Sequence, residues 1–399
     1  MSELRQNWQQ LAVVQIGGAI CLPIFVVGHA LAKTYGLHSA ILAILVGNLM
    51  LLVLGCVVAW ASASYRQSTA ELAVDLFGTK GKGFFSAALV LSMVGWFAIQ
   101  LNIMTLSLQT IIGRDLALSG NVCLGILITL AGIKGMRGLT TLANISMPIL
   151  LLTIAYAIYN ASHTPVVVKQ SQAFTCAGIS LALATAIGAV IDLPTFFRIA
   201  KSPKDGIIAI IVLFGFVLPL IEAVGVYLYV HSQGENILEV LASPSSPKLW
   251  KLWILGFLLL AGWTTNNANL YSASVSMKTL LPRLTDTARI LSVGAVGTLL
   301  SCLNFLDNMA AVLDVIGIIL ASMGAVMIGL FLSKKGSSQP VNFIVWNIGL
   351  IGGFLSLYGY GLTGIPVLDA FLVAIMSTGA ILLLNLKNAV EYEKRSARF

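Results

Sequence analysis

The eight residues Ile16 to Pro23, reading IGGAICLP, return 171 residues later as Ile187 to Pro194, reading IGAVIDLP. Ile, Gly, Ile, Leu and Pro hold the same offsets in both copies. Each copy lies in the middle of an apolar stretch, where a Gly costs about 1 kcal/mol and a Pro about 3 kcal/mol relative to a good helix former. The repeat therefore marks two helices made to break. In hydrocarbon a break strands backbone N–H and C=O groups at several kcal/mol each, so irregular main chain survives only where it faces protein or a wet cavity. Whatever this chain folds into must turn both interruptions inward.

That the stretches lie in lipid follows from composition. The 399 residues are 58% hydrophobic and 10% charged, against roughly 25% charged residues in soluble domains. Spans of membrane-crossing length are expected near residues 9–32, 39–62, 83–111, 117–133, 139–160, 175–197, 206–230, 250–275, 286–304, 308–332, 342–362 and 366–386. The fold class is an all-α polytopic membrane protein with about twelve transmembrane helices in one transmembrane domain over 1–399. Residues 68–78, with a Ser-Thr start and apolar Leu72, Val74, Leu76 and Phe77, read as a short amphipathic helix on the membrane surface. The segment 231–250 reads as a polar outside loop holding a short helix over 237–242.

The formal charge of +8 would suggest nucleic acid in a soluble chain, but its distribution suggests a membrane. With the N-terminus in the cytoplasm, only Lys33, Arg114, Lys169, Lys248 and Lys251 fall outside, leaving 18 of the 23 basic residues inside, as the positive-inside rule requires. The expectation is a multi-pass protein of the cell (inner) membrane with both termini cytoplasmic, the lipid bilayer as its surroundings, no nucleic acid and no obligate protein partner. The N-terminus has no basic region, short apolar stretch and cleavage site in succession, so no removable signal peptide is expected. The five cysteines have no paired spacing and the four histidines are scattered, and no nucleophile set, metal cluster or phosphate loop is visible. The chain reads as no enzyme and as needing no resident cofactor.

Five spans per half is an odd number, so two related halves must lie in opposite orientations. This gives inverted repeats over 9–160 and 175–332, with two appended helices over 342–386. Interrupted helices at corresponding positions of such halves are the best sequence pointer to a transporter's binding site.

The polar residues then suggest a chemistry. Residues 261–274, AGWTTNNANLYSAS, put many amides and hydroxyls at membrane depth, which indicates a wet or ligand-lined face. Ala261, Thr264 and Thr265 share one helical stripe, and carbonyls released at the Gly17 break would complete an oxygen cage for sodium. The competing reading has both threonines bonding back to their own helix. Asn266 and Asn269 offer amide donors and acceptors for a neutral planar ligand such as a nucleobase. Trp96 would supply a stacking face, with Gln100 one turn away. Amide bonds between packed helices are the alternative. Intramembrane acids mark ion or proton paths by default: Asp192 qualifies, with pairing to Arg198 as its alternative, Asp307 and Asp369 are expected to be solvated near span ends, and Glu222 and Asp314 are candidates for carrying a proton.

The motifs ValGlyTrpPhe at 94–97, TrpThrThrAsn at 263–266 followed by Leu270-Tyr271, and PhePheArg at 196–198 resemble the nucleobase:cation symporter family 1. The resemblance runs over about the first ten spans. It implies the LeuT fold, a ligand site between broken spans 1 and 6 and spans 3 and 8, and alternating access. On the same resemblance, Trp96 stacks on the base and Gln100 bonds its edge. Ala184 to Gly188, Thr185 included, offer unwound backbone, and Cys21 follows the first break beside the ligand. A sodium ion is implied among Gly17, Ile20, Ala261, Thr264 and Thr265. Met93, Ala186 and Ala261 stand where the resemblance leads one to expect an amide, an aromatic and an asparagine. The implied function is secondary active import of a nucleobase or related small heterocycle, coupled to sodium. A proton-coupled permease and an amino acid transporter on the same fold are the alternatives.

Overall fold

The computed structural model describes residues 5–163, 176–232, 247–303, 309–333 and 338–396. Every named element among them is helical, and the one β-bridge joins Gln6 to Ala200. The loop helix expected over 237–242 and Asp307 lie outside the described residues.

The first span is two helices, α1 (Trp8–Ala19) and α2 (Leu22–Tyr35), bent by 61°. Asn7 and Gln10 form a capping box that starts α1. Pro23 has no N–H to give the Ala19 carbonyl, which instead accepts from Cys21 2.8 Å away. The helix comes apart at Ile20 and Cys21 and restarts with the proline in its first turn, where the missing donor costs nothing. The next span is α3 (Leu37–Tyr65).

Helix α4 runs from Thr69 to Ile112, but Gly78, with φ of 72° and ψ of −173°, divides it. The amphipathic helix read from the sequence is its first arm, started by a Ser68–Glu71 capping box. The second arm is span 3. Helices α5 (Ala117–Gly132) and α6 (Gly135–Ala161) are spans 4 and 5.

The second interruption is narrower than expected. Helix α7 (Cys176–Ile191) continues through Ala184 to Gly188, and only Asp192 separates it from α8 (Leu193–Phe197). The unwound backbone expected at Ala184–Gly188 is therefore corrected to one residue at Asp192. The Asp192 N–H still reaches the Gly188 carbonyl at 3.1 Å. The lost donor is that of Pro194, which would have served Val190.

Span 7 is α9 (Pro203–Val212) and α10 (Leu218–Ser232), joined by a π-helical turn over Leu213–Val217 just before Pro219. The last five spans are α11 (Lys248–Leu280), α12 (Asp286–Ser301), α13 (Met309–Ser333), α14 (Gln339–Leu357) and α15 (Pro366–Ser396).

Seven of the described helices are long and apolar enough to cross a membrane, and the bent pair makes an eighth. The other four expected spans fail that test individually because α5, α7 and α12 are short and α11 is polar. Their company supplies what they lack, since α4 and α11 pack side by side along much of their length. On α3, Leu42, Leu45, Leu49 and Val53 are exposed on one stripe, the spacing of a helix face turned to lipid. Its opposite face, with Ala43, Gly47, Asn48 and Leu51, is buried.

Small residues let the helices approach closely. A side chain on Gly125 would strike Thr298, and one on Gly294 would strike Thr129, so α5 and α12 interlock reciprocally.

Candidate substrate and cation site

A cavity of about 150 Å³ lies where the two interruptions face α4 and α11. A cavity of about that size, when apolar, takes up a single benzene ring. The α1–α2 break contributes Gly18, Ala19, Cys21 and Pro23; α4 gives Met93 and Trp96; α7 gives Ala184 through Ala189; and α11 gives Thr265, Ala268 and Asn269. Asp192 and Phe196 line it beside the second interruption, and Leu213 and Phe214 do so from the π-turn.

Six of the eight residues expected at the ligand, Trp96, Cys21, Ala184, Thr185, Gly188 and Asn269, line this cavity. Gln100 and Asn266 lie behind it. Asn266 donates to the Phe97 carbonyl at 3.2 Å and accepts from Asn269 at 3.3 Å, so it joins α4 to α11 and supports Asn269. Gln100 is buried beside Gly262, with its Oε1 unpartnered.

Gln15 also lines the cavity and was missed. A lone amide two residues before the Gly17-Gly18 pair was the signal that should have found it. Leu213, Phe214 and Ile316 give no sign in the sequence, being apolar residues among apolar residues.

The lining is chemically neutral. Among the described residues no Lys, Arg or His lines it, and its one carboxylate, Asp192, is already satisfied. Thr69 and Thr195 donate to Asp192 Oδ1 at 3.0 and 2.7 Å, and Ser272 donates to Oδ2. Thr185 is likewise occupied, donating to Leu181 at 2.7 Å. The groups left to meet a ligand are the amides of Gln15 and Asn269 and the face of Trp96.

Against one wall stands an oxygen-rich nook. Thr264 Oγ lies 2.7 Å from the Gly17 carbonyl, 2.9 Å from Ala261 and 3.2 Å from Leu260. Thr265 Oγ lies 2.9 Å from the Gly18 carbonyl and 3.0 Å from Ala261. Each hydroxyl has a single proton, so oxygens outnumber donors. The Ile24 N–H, which a continuous helix would give to Ile20, goes instead to Cys21 at 3.1 Å. Thus four of the five expected cation residues, Gly17, Ala261, Thr264 and Thr265, meet directly, and the break alters the surroundings of the fifth, Ile20. The threonines do bond back to their own helix, and they reach α1 as well. Thr265 lines the cavity as well as the nook, which links the two.

Toward the end rich in basic residues the cavity is closed. Gln6 pairs with the chain at Ile199 and Lys201, each bond 2.8 Å, and Arg66 donates to the Ala200 carbonyl at 3.0 Å. The rings of Phe196 and Tyr271 meet at 5.6 Å. Arg198 donates to the Tyr271 hydroxyl at 3.2 Å and stands 3.9 Å from Glu71. Burial alone would raise Glu71. The Ser68 hydrogen bonds, with the charges of Arg198 and Lys278, overcome it and hold the carboxyl below its ordinary value.

The comparisons agree with this geometry. Residues 2–349 match the family described as "Permease for cytosine/purines, uracil, thiamine, allantoin". The cytosine permease of Escherichia coli (strain K12) is 24% identical over 315 residues, covering 77% of this chain and 74% of the relative. The structure of Mhp1, a nucleobase-cation-symport-1 family transporter in a closed conformation with bromovinylhydantoin bound, superposes with a TM-score of 0.76 at 17% identity, covering 94% of this chain and 91% of Mhp1. The substrate-bound outward-open state of a Na+-coupled sialic acid symporter gives 0.72 at 14% identity, covering 95% of this chain and 90% of the symporter. The fold is thus the LeuT fold with its inverted five-helix repeats, and the chain is a multi-pass membrane transporter rather than an enzyme. Its apolar spans, its paired helix breaks and a match running through most of its length place it together: this chain belongs to the permease family for cytosine, purines, uracil, thiamine and allantoin, the nucleobase:cation symporter family 1.

Proposed function

We propose that this protein imports a nucleobase or closely related small heterocycle across the cell (inner) membrane by secondary active symport with sodium, with both termini cytoplasmic. The observation that carries the reading is the meeting of the two sites at one helix break. Gly18 and Thr265 both line the cavity, and the Gly18 carbonyl accepts from the same threonine hydroxyl that sits in the oxygen-rich nook.

A sodium ion among Gly17, Ile20, Ala261, Thr264 and Thr265 would draw α1 toward α11. A base against Trp96, held at its edge by Gln15 and Asn269 with Gln100 and Asn266 behind, would draw on the same segment. Each ligand then favours the state the other favours, which is coupling in the thermodynamic sense. The names of the E. coli relative and of Mhp1's ligand support a ring-shaped substrate, and the sialic acid symporter supports sodium. The neutral lining disfavours an amino acid, whose carboxylate and ammonium would find no free charged side chain among the described lining residues. The 18 to 5 division of basic residues supports a cytoplasmic closed end.

The test is uptake of labelled cytosine, uracil and hypoxanthine into proteoliposomes under an inward sodium gradient. Concentrative uptake of at least one base, collapsing with a sodium ionophore, is expected. Thr265→Ala should raise the sodium needed about tenfold or more, the loss of one hydroxyl contact to a charge being worth about 1.5–3 kcal/mol. Competition by an amino acid mixture and not by bases, or accumulation indifferent to sodium, overturns the reading.

A further inference from the structure

Away from the cavity, α10 buries Glu222 completely, at 0% exposure, between α2 and α3. The two flanking helices leave it little room. A side chain on Gly28 would place its Cβ 1.8 Å from the Glu222 carbonyl oxygen, and one on Gly225 would stand 2.1 Å from the Phe25 carbonyl oxygen. Backbone meets backbone at this crossing.

From α3, Asn48, 1% exposed, donates through Nδ2 to Glu222 Oε2. The same amide nitrogen donates to the Ile44 carbonyl at 2.9 Å, so both its hydrogens are committed. Glu222 Oε1 and Asn48 Oδ1 remain, both buried and neither with a partner.

A carboxylate with one hydrogen bond at membrane depth is costly unless its charge is met. A hard metal cation gathers a shell of several oxygens, and this spot offers two unpartnered ones. A proton needs one.

We propose that Glu222 and Asn48 form a proton-binding site, protonated in the arrangement described here and ionised at another stage of the cycle, when the α2–α10 crossing loosens. In that step the carboxyl O–H bond breaks, its electron pair stays on oxygen, and the proton passes to water reaching the crossing. Helix α2 is the part of span 1 beyond the 61° bend, so a change at that bend would move the crossing that covers this acid.

The charged surroundings are sparse. On α2 the ionisable neighbour is His29, whose ring meets Tyr229 of α10 edge-on at 5.0 Å; Lys33 and Tyr35 lie at its far end. Helix α3 has no ionisable side chain between His38 and Cys56, and α6 has none between Arg137 and Tyr156. Glu222 is therefore the group whose charge the crossing must accommodate. The inference goes beyond the proposed function and does not depend on which base is carried.

Infrared difference spectra of the full chain in nanodiscs, wild type minus Glu222→Gln, test it without any ligand. At neutral pH a protonated-carboxyl band should be present and should shift in D2O within minutes. An ionised carboxylate overturns the proposal, and so does a protonated band that never exchanges, which is the mark of a sealed structural acid. If Glu222→Gln does not fold, Asn48→Leu minus wild type serves instead. Losing its amide partner must move the band, and an unmoved band overturns the pairing. Because neither sodium nor base is added, failure here and failure of sodium-driven uptake are read separately.

Discussion

At the scale of single residues, Trp96 and Glu71 act through different physics. Trp96 lines the cavity, and stacking on an aromatic side chain is worth about 1–3 kcal/mol per base. Trp96→Ala should therefore weaken binding of a base roughly 5- to 150-fold by calorimetry, while Trp96→Phe keeps an aromatic ring and most of the affinity. Glu71 sits at the start of α4, where Ser68 hydrogen bonds and the Arg198 and Lys278 charges hold its carboxyl below its ordinary value. A depressed acid contributes stability that is present above its unfolded pKa of about 4.3 and is lost as pH falls through the folded value. Thermal unfolding between pH 7 and pH 3 should show this acid-labile part, and Glu71→Gln should remove it. Ser68→Ala should cost about 1 kcal/mol at neutral pH through the lost cap. The sequence made the Ser68 cap and the aromatic at Trp96 legible because each is a local signal. It gave no sign of the Arg198 contacts with Tyr271 and Glu71, which come from distant spans.

At the scale of elements, the α2–α10 crossing is fixed by two glycines. Gly28→Val must push the helices apart, since its Cβ would overlap the Glu222 carbonyl, and overpacking of this kind costs about 1–3 kcal/mol or more. The melting temperature should fall. Gly256→Ala on α11, which meets nothing within 4 Å, should leave it unchanged or raise it slightly. The two broken helices show how far local reading goes. Proline named both sites of interruption correctly, because a missing N–H is a property of the residue itself. It did not tell their widths. The first break became a 61° bend and the second a single residue at Asp192. In the second, the Asp192 carboxylate gathers Thr69, Thr195 and Ser272 from three different elements, which holds α7 and α8 nearly continuous.

At the scale of the molecule, the same carboxylate ties the amphipathic arm of α4, the second break and α11 into one closure beneath the cavity, with Gln6 and Arg66 fastening the N-terminal segment to the 199–201 stretch. Removing one donor to a buried carboxylate costs about 1–3 kcal/mol, all of it charged to the closed state. Ser272→Ala should thus make Cys21, buried in the cavity wall, react faster with a membrane-impermeant thiol reagent applied from the side of Gln6 and Arg66, as followed by peptide mass spectrometry. An unchanged rate would show that the closure does not rest on Asp192.

What the sequence determined by itself was the solvent, the number and order of the spans and the places where helices must break, since hydropathy and proline act within a few residues of where they stand. It also put Thr264 and Thr265 on one stripe with Ala261, because an i, i+3, i+4 stripe is a property of one helix. Only the tertiary structure decided that those hydroxyls meet the Gly17 and Gly18 carbonyls, that Gln15 lines the cavity while Gln100 stands behind it, and that Asn48 meets Glu222. Each of those contacts joins segments more than eighty residues apart or depends on how far a helix is rotated, and neither is written in any local pattern.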